Sequence, residues 1–275
     1  MKALLLRLLC LFTLPAFSQQ LPPGVVGDYH PATSPEAKYA VLVLGGAEGG
    51  KPTELARLFV EQGYPVLSLA YCKAAGLPAE LEQIPLEYFD APMKWLARQA
   101  PGKRQGILLV GWSKGAELAL LLASRHAAVR GVVAISPSSV AWAGILKDWK
   151  KTPGSSWTAH RQPLPFVPFR SEGATSLLTL YANSLTNQPA AAAAGIPLER
   201  SKAAVLLLSG SQDEVWPATL MCEQLMARLQ AARYARPYSH LNYPELGHLL
   251  NEKFLPATPE HPSRTAILAF LRAVE

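Results

Sequence analysis

Short apolar runs alternate with amphipathic segments along the chain from Tyr39 onwards. Five runs consist almost entirely of apolar residues, and they cover residues 40–44, 65–70, 106–110, 131–135 and 204–208. Uninterrupted apolar runs of this length are typical of strands buried on both faces of a parallel sheet. In residues 52–62 and 85–99, apolar residues recur three or four positions apart, which predicts amphipathic helices. The alternation predicts an α/β fold whose sheet is mostly parallel and flanked by helices.

Three further segments extend this pattern. Residues 116–125 are apolar nearly all round, as expected of a helix packed deep against a sheet. Residues 238–243 alternate between apolar and polar, which suits an edge strand, and residues 265–274 predict a terminal helix. The chain has no internal repeats, so one domain is expected.

Residues 138–202, called here the cap segment, are too many for a plain crossover between two strands. They separate the strand ending near Ser136 from the one starting near Ala203, and they predict an insertion over the carboxyl edge of the sheet, where such folds bind ligands. A disordered linker is the alternative, but it would leave many large aromatic side chains in water: Trp142, Trp149, Trp157, Phe166, Phe169 and Tyr181.

The first eighteen residues have the three-part layout of a secretory signal peptide. Two positive charges precede the apolar run 8–14, and small residues stand at positions −3 and −1 of a cleavage site after Ser18. The run is too short to cross a bilayer, which takes about 20 residues. We therefore expect a secreted or periplasmic protein whose catalytic domain is residues 19–275. An uncleaved interfacial anchor is the alternative. Lipid attachment at Cys10 is not expected, because the small residues that precede such a site are missing.

Composition and charge exclude several classes of function. Hydrophobic residues make up 49% of the 275 positions and charged residues 17%, which suits a large buried core and not a disordered chain. Removal of the leader lowers the formal charge from +6 to about +4. Since no run of basic residues stands out, nucleic-acid binding is not expected. The three cysteines lack zinc-site spacing, and we expect no metal, no cofactor and no stable membrane insertion.

The chemistry begins at the motif Gly111-Trp112-Ser113-Lys114-Gly115, which fits G-x-S-x-G. A predicted buried strand precedes it and an apolar helix follows, which is the context of the nucleophile elbow in the α/β-hydrolase fold. Glycines are needed there because side chains at the flanking positions would clash in the sharp turn. A plain tight turn is the alternative. The motif predicts Ser113 as a nucleophile.

A serine nucleophile needs a base and a carboxylate that orients the base. Asp213 follows the strand 204–208 and His248 follows the strand 238–243, so both occur in the order Ser, Asp, His of α/β-hydrolases. Glu214 and Asp148 are the competing carboxylates. Four other histidines fit worse because of their places in the predicted elements: His126, His160, His240 and His261.

Acyl transfer also needs backbone N–H groups that stabilise an oxyanion. The amide after the nucleophile, that of Lys114, is one candidate, and Ala47 in the glycine-rich loop 45–50 is the other. This loop fails both the phosphate-loop and the dinucleotide patterns. Glu48 is expected to be a structural carboxylate. Three further residues are candidates for substrate contact: Gly46, Trp112 and Trp216.

From Tyr39 to about Leu255 the chain resembles the catalytic C-terminal domain shared by acyl-CoA thioesterases and bile-acid-CoA:amino-acid N-acyltransferases. The stretches that carry the resemblance are residues 84–89, 111–118, 163–168, 196–200, 209–217 and 243–248. The resemblance implies Ser113, Asp213 and His248 as the catalytic residues, and a serine nucleophile favours hydrolysis over transfer to an amino acid. Two features depart from the animal enzymes: there is no room for a β-sandwich domain before Tyr39, and export would separate the chain from acyl-CoA.

These observations predict a serine hydrolase that cleaves a small-molecule acyl thioester or ester. The alternatives are an acyltransferase to a small amine or alcohol, a carboxylesterase for non-CoA esters in the periplasm, and a binding protein that has lost its chemistry. Acyl-chain length, leaving group and oligomeric state stay open. Cys72 and Cys222 are predicted to be free thiols because they lie far apart in this fold.

Overall fold

A seven-stranded, mostly parallel sheet forms the centre of the fold. The computed structural model describes residues 20–35, 37–99, 106–148, 150–248 and 261–274, so the predicted leader, residues 1–18, lies outside the described residues. The strands are β1 (Val26–His30), β2 (Ala40–Leu44), β3 (Val66–Ala70), β4 (Ile84–Pro85), β5 (Ile107–Trp112), β6 (Val129–Ile135), β7 (Trp157–Ala159), β8 (Gln162–Pro163), β9 (Ala204–Gly210) and β10 (Tyr238–Tyr243). The large sheet has the order β1-β3-β2-β5-β6-β9-β10, and among these pairs only β1 with β3 is antiparallel.

Helices cover both faces of this sheet. They are α1 (Thr53–Val60), α2 (Asp90–Leu96), α3 (Lys114–Ala123), α4 (Leu177–Leu185), α5 (Gln188–Ala193), α6 (Ala218–Ala231) and α7 (Pro262–Ala273). Alternate residues of each central strand face opposite sides. Leu42 and Leu44 of β2 pack in the core that includes α2, α3 and α6, whereas Val41 and Val43 pack in the core that includes α1 and α7. The predicted α/β-hydrolase architecture is confirmed.

Two elements differ from their predictions. The helix expected over residues 85–99 is divided into β4, a 3₁₀ turn at Leu86–Phe89 and the short helix α2. Pro92 explains the late start of α2, because a proline without an N–H is tolerated only in the first turn of a helix. The strand expected to end at Val110 continues to Trp112, directly before the predicted nucleophile.

The edge strand β1 was not expected from the sequence. Its residues, Val-Gly-Asp-Tyr-His, are all partly buried and pair antiparallel with β3. Because this edge strand is only partly covered and has mixed polarity, it lacks the continuous apolar character by which the central strands were predicted.

The cap segment is folded where the structure describes it. It contains β7, β8, α4 and α5, and β7 pairs with β4 in a second sheet of three short strands. Its aromatic rings pack together: Tyr181 makes edge contacts with Trp142 and Phe169 at centroid distances of 4.7 and 5.3 Å. Tyr181 also contacts Trp216, which lies outside the cap segment, at 5.3 Å. This packing explains why the segment is rich in aromatic residues.

Among the described helices, none is both long and apolar enough to cross a bilayer. Cys72 and Cys222 are both buried and carry free thiols.

Candidate active site

Ser113 occupies the single residue between the end of β5 and the start of α3. Its backbone has φ 55° and ψ −122°, a conformation that non-glycine residues rarely adopt and that costs of order 1–3 kcal/mol. The turn is fixed by the N–H of Ser113, which donates to the carbonyl of Ile135 in the adjacent strand at 2.9 Å. This strained turn presents the Ser113 hydroxyl at the carboxyl edge of the sheet.

The two glycines of the motif are required by close backbone contacts. A Cβ atom at Gly111 would overlap the carbonyl oxygen of Gly115 one turn into α3. A Cβ atom at Gly115 would overlap the carbonyl oxygens of Leu44 and Gly45 at the end of β2. The α3 helix can therefore approach β2 and β5 only with glycine at both positions.

Three buried side chains form a hydrogen-bonded series at this edge. His248 Nε2 lies 2.9 Å from Ser113 Oγ, and His248 Nδ1 lies 2.8 Å from Asp213 Oδ2. The three residues are only 4–6% exposed. The other oxygen of Asp213, Oδ1, accepts from the amides of Val215 and Trp216 at 2.9 and 3.0 Å, which fixes the carboxylate. A proton on Nδ1 facing this carboxylate leaves Nε2 free to accept from Ser113.

The main chain of His248 is also held on both sides. Its N–H donates to Glu214 Oε2 at 3.0 Å, and its carbonyl accepts from Ser136 Oγ at 2.7 Å and Trp112 Nε1 at 3.2 Å. Glu214, a competing carboxylate in the sequence, therefore binds the backbone of His248 and not its ring. The other competitor, Asp148, accepts from the amide of Lys150.

Two tryptophan rings flank the imidazole of His248. The ring centroids of Trp112 and Trp216 lie 5.7 and 5.3 Å from that of His248. The Trp112 ring also packs so closely on Gly46 that a Cβ atom there would lie 2.8 Å from it. Contact of Gly46, Trp112 and Trp216 with substrate stays a prediction. Their observed contacts confine the histidine ring and the loop beside it.

The loop that follows β2, residues 45–48, lies beside this series. It is called the oxyanion loop below because its Ala47 amide is a predicted oxyanion donor. The amide of Gly46 donates to Glu48 Oε1 at 2.9 Å, so Glu48 folds back onto the loop. The pKa of Glu48 is raised, because the effect of burial outweighs the backbone hydrogen bonds and the charges of Lys73 and His248, which lower it. Within the described residues, the amides of the two predicted donors, Ala47 and Lys114, are not directed at any acceptor.

The side chain of Lys114 makes a buried ion pair. Its Nζ lies 2.6 Å from Glu117 Oε2 and 2.8 Å from Ser156 Oγ, and both charged side chains are at most 1% exposed. Glu117 Oε1 accepts from the amide of Trp142 and from Trp157 Nε1, at 3.1 and 2.6 Å. Burial lowers the pKa of Lys114 and raises that of Glu117, while each charge opposes the shift of the other. The pair connects the first turn of α3 to the cap segment.

The four histidines that fit the site worse in the sequence have contacts elsewhere in the fold. His240 bonds Ser209 at 2.7 Å, His126 lies 3.6 Å from Asp90, and His261 caps α7 through the amide of Ser263. His160 is an exposed residue of the β7–β8 turn.

Ser136 was not identified from the sequence, although it holds the carbonyl of His248. It follows β6 with φ 45° and is fully buried. Its own carbonyl accepts from Trp216 Nε1 at 3.2 Å, so Ser136 links Trp216 to the main chain of His248. A serine at a strand end carries no motif, and the only available signal is its position at the same sheet edge as Ser113.

The sequence profile of the family described as "BAAT / Acyl-CoA thioester hydrolase C terminal" matches residues 84–269. The chain is 30% identical over 216 residues to acyl-coenzyme A thioesterase 1 of Rattus norvegicus, which covers 78% of this chain and 49% of that protein. It is 29% identical over 217 residues to the mitochondrial acyl-coenzyme A thioesterase 2 of Homo sapiens, with 78% and 43% covered. The chain thus spans about half the length of the curated relatives it matches.

Among solved structures, an esterase of Pyrococcus furiosus superposes with a TM-score of 0.56 at 14% identity. The superposition covers 90% of this chain and 92% of the esterase. At this identity the likeness concerns the fold alone, and it agrees with the sheet order and helix layers described above.

Proposed function

The chain belongs to the BAAT / acyl-CoA thioester hydrolase C-terminal family, and from that premise we propose that it is a serine hydrolase of acyl thioesters or esters. The observation that supports this proposal most is the buried hydrogen-bonded series from Ser113 through His248 to Asp213. It combines a nucleophile, a base and a carboxylate that orients the base. The reaction then proceeds through an acyl-enzyme.

In the first half of the reaction, Ser113 Oγ attacks the acyl carbonyl carbon while its proton passes to His248 Nε2. The carbonyl oxygen becomes an oxyanion that accepts from the amides of Lys114 and Ala47. Collapse of this intermediate breaks the bond to the thiol or alcohol, which leaves with the proton held by His248. Asp213 stabilises the transient imidazolium but keeps its own charge.

In the second half, water replaces the leaving group. His248 Nε2 takes a proton from the water as its oxygen attacks the acyl-enzyme. A second oxyanion forms in the same place, and its collapse returns the proton to Ser113 Oγ and releases the carboxylic acid. The nucleophile is thereby regenerated without a metal or cofactor taking part.

The substrate class rests on two observations that favour different leaving groups. The relatives named above are acyl-coenzyme A thioesterases, which favours an acyl thioester. The signal-peptide pattern of residues 1–18 favours export to a compartment where simple esters are the more available acyl donors. The same residues serve both substrates because the acyl half of the reaction is identical.

The test is a substrate panel measured on the purified wild type, Ser113→Ala and a control. p-Nitrophenyl esters and acyl-CoA thioesters of graded chain length report the leaving group and the acyl length together. Ser124→Ala is the matched control, since within the described part of the chain its hydroxyl bonds the carbonyl of Leu121 in α3 and no residue of the site. We expect Ser113→Ala to lose at least about 10⁴-fold in kcat and Ser124→Ala to stay near wild type.

Two further measurements sharpen the result. A fluorophosphonate probe is expected to label the peptide that contains Ser113. With glycine or taurine added, we expect the free acid and not the amide as the product. Hydrolysis by pure Ser113→Ala at the wild-type rate would refute the proposal.

A further inference from the structure

Tyr71 lies directly after β3, beside the end of β2, and its side chain points under the oxyanion loop. The hydroxyl donates to the carbonyl of Gly45 at 2.6 Å, with a longer contact of 3.4 Å to the carbonyl of Gly46. Tyr71 is 2% exposed, and both described hydrogen-bond contacts of its hydroxyl are with carbonyls of this loop. Its contacts are therefore with the loop, not with the reacting atoms.

Three backbone polar groups of the oxyanion loop are hydrogen-bonded to side chains. The carbonyl of Gly45 is held by Tyr71, and the amide of Gly46 by Glu48. The carbonyl of Ala47 accepts from Lys73 Nζ at 2.7 Å. Since the neighbouring groups are held, the peptide plane that carries the Ala47 N–H has a fixed orientation. Among the described residues no acceptor binds that N–H, so it is available to an oxyanion.

The ring of Tyr71 is itself held by two aromatic side chains, one from the 3₁₀ turn and one from β7. It packs against Phe89 and Trp157 at centroid distances of 5.9 and 5.8 Å. The indole of Trp157 donates to Glu117, and Lys114 Nζ lies 5.3 Å from the centre of the same ring. The Trp157 ring thus contacts both Tyr71, which binds the loop of Ala47, and the side chain of Lys114. Ala47 and Lys114 are the two candidate oxyanion donors. Burial holds the pKa of Tyr71 well above its ordinary value, which keeps the hydroxyl a donor.

We propose that Tyr71 is a positioning residue for the oxyanion loop, in which its hydroxyl fixes the Gly45 carbonyl and thereby aims the Ala47 amide at the oxyanion. The inference rests on the proposed function, because an oxyanion forms only if Ser113 attacks an acyl carbon. A donor of this kind lowers the barrier only when it is oriented before the charge develops. Loss of the orientation reduces kcat and leaves substrate binding nearly unchanged.

The experiment compares Tyr71→Phe with Tyr234→Phe. Tyr234 is the matched control because its hydroxyl also donates to a backbone carbonyl, that of Ala203, at 2.6 Å, near the opposite edge of the sheet. For each variant, kcat and KM are measured on p-nitrophenyl butyrate, together with the inhibition constant of an alkyl boronic acid. The boronic acid forms a tetrahedral adduct with a nucleophilic serine, and an oxygen of this adduct occupies the oxyanion position.

We expect Tyr71→Phe to reduce kcat about tenfold, part of the roughly 10²–10³-fold effect of removing a whole oxyanion donor. KM is expected to stay within about twofold, and the inhibition constant of the boronic acid to rise by the same factor as kcat falls. Tyr234→Phe is expected to leave all three constants unchanged. Lys73→Met is the second variant, for the case that Tyr71→Phe does not fold. It keeps an aliphatic side chain at this exposed position and removes the hydrogen bond to the Ala47 carbonyl.

The inference is overturned if folded Tyr71→Phe keeps kcat within twofold of wild type, or if Tyr234→Phe loses as much. It is also overturned if KM rises while the boronic acid binds as before. Where Tyr71→Phe does not fold, an unchanged kcat in Lys73→Met overturns it. Failure of the proposed function looks different, because the wild type would then show no hydrolysis dependent on Ser113.

Discussion

At the scale of single residues, the strained backbone at Ser113 depends on the absence of side chains at Gly111 and Gly115. Gly115 is tightly enclosed, since an added Cβ would overlap the carbonyls of Leu44 and Gly45. A helical glycine costs about 1 kcal/mol relative to alanine, so its presence in α3 needs a compensating reason. Close approach of the helix to β2 supplies that reason, and the same approach brings Lys114 near the oxyanion loop.

We therefore expect Gly115→Ala to destabilise the protein by about 1–3 kcal/mol despite the better helix propensity of alanine. We also expect a fall in kcat of at least about tenfold, because displacement of α3 moves the Lys114 amide. Urea denaturation and steady-state kinetics measure the two effects. Gly154→Ala is the control, as its added Cβ would meet nothing nearer than 3.5 Å. A Gly115→Ala variant as stable and active as wild type would contradict the enclosure.

The two adjacent carboxylates of Asp213 and Glu214 also have different expected roles. Asp213 bonds the imidazole and Glu214 bonds the backbone N–H of the same histidine. In Asp213→Asn, an amide facing Nδ1 favours the wrong tautomer, so we expect kcat to fall by about 10³–10⁴-fold. In Glu214→Gln, the amide oxygen still accepts from the backbone, and kcat is expected to stay within about fivefold.

Both variants are assayed on one ester at saturating concentration, with Asp148→Asn as a surface control. A loss in Glu214→Gln equal to that in Asp213→Asn would assign the orienting role to the wrong carboxylate.

The sequence indicates Ser113, Asp213 and His248 because each follows a strand that ends at the same sheet edge, and chain order supplies their roles. It does not indicate Ser136 or Tyr71. Each of these binds a backbone carbonyl contributed by a distant part of the chain, that of His248 and that of Gly45. Carbonyl acceptors exist at every residue, so no motif marks which of them needs a donor.

At the scale of elements, the buried pair Lys114–Glu117 holds the cap segment on α3. Glu117 accepts from Lys114, from the amide of Trp142 and from the indole of Trp157, and these two tryptophans belong to the cap segment. Removal of one partner from a buried ion pair leaves an uncompensated charge and costs about 3–5 kcal/mol.

Lys114→Met is expected to lower the free energy of unfolding by about that amount, measured by urea denaturation. The double variant Lys114→Met/Glu117→Leu removes the stranded carboxylate and is expected to recover part of the loss, the remainder reflecting the donors of Trp142 and Trp157 left without an acceptor. Arg57→Met, which breaks an exposed pair with Glu54, is the control and should cost at most about 1 kcal/mol. A single variant within 1 kcal/mol of wild type would show that the pair does not hold the cap segment.

The periodicity of the sequence predicts the central elements well and the peripheral ones poorly, for a physical reason. Strands β2, β3, β5, β6 and β9 are buried on both faces, apart from Arg130 near the start of β6, so each contains a nearly continuous apolar run. The segment 85–99 has helical spacing, but the spacing alone does not reveal that the α-helix starts only at Asp90, so that Pro92 lies in its first turn. The edge strand β1 lacks any such run.

At the scale of the whole molecule, compartment and substrate are linked. We propose that residues 1–18 direct export, and an exported chain would meet oxidising conditions in which cysteines pair if geometry allows. Cys72 follows β3 and Cys222 lies in α6, which packs on β9. Between β3 and β9 lie three strands. At about 4.8 Å per strand, β3 and β9 are separated by about 19 Å, whereas a disulfide needs Cα atoms within about 7 Å.

We therefore expect the exported protein to keep both thiols reduced. Burial raises the pKa of Cys72 to about 11 and that of Cys222 further still, so iodoacetamide at pH 8 should leave the native protein unmodified. In denaturant without reductant, two alkylations per chain are expected, because cleavage after Ser18 removes Cys10 with the leader. Three alkylations would show that the leader is retained. A mass gain of about two daltons on reduction, seen by intact mass spectrometry, would show a disulfide and contradict the separation of the two cysteines in the sheet.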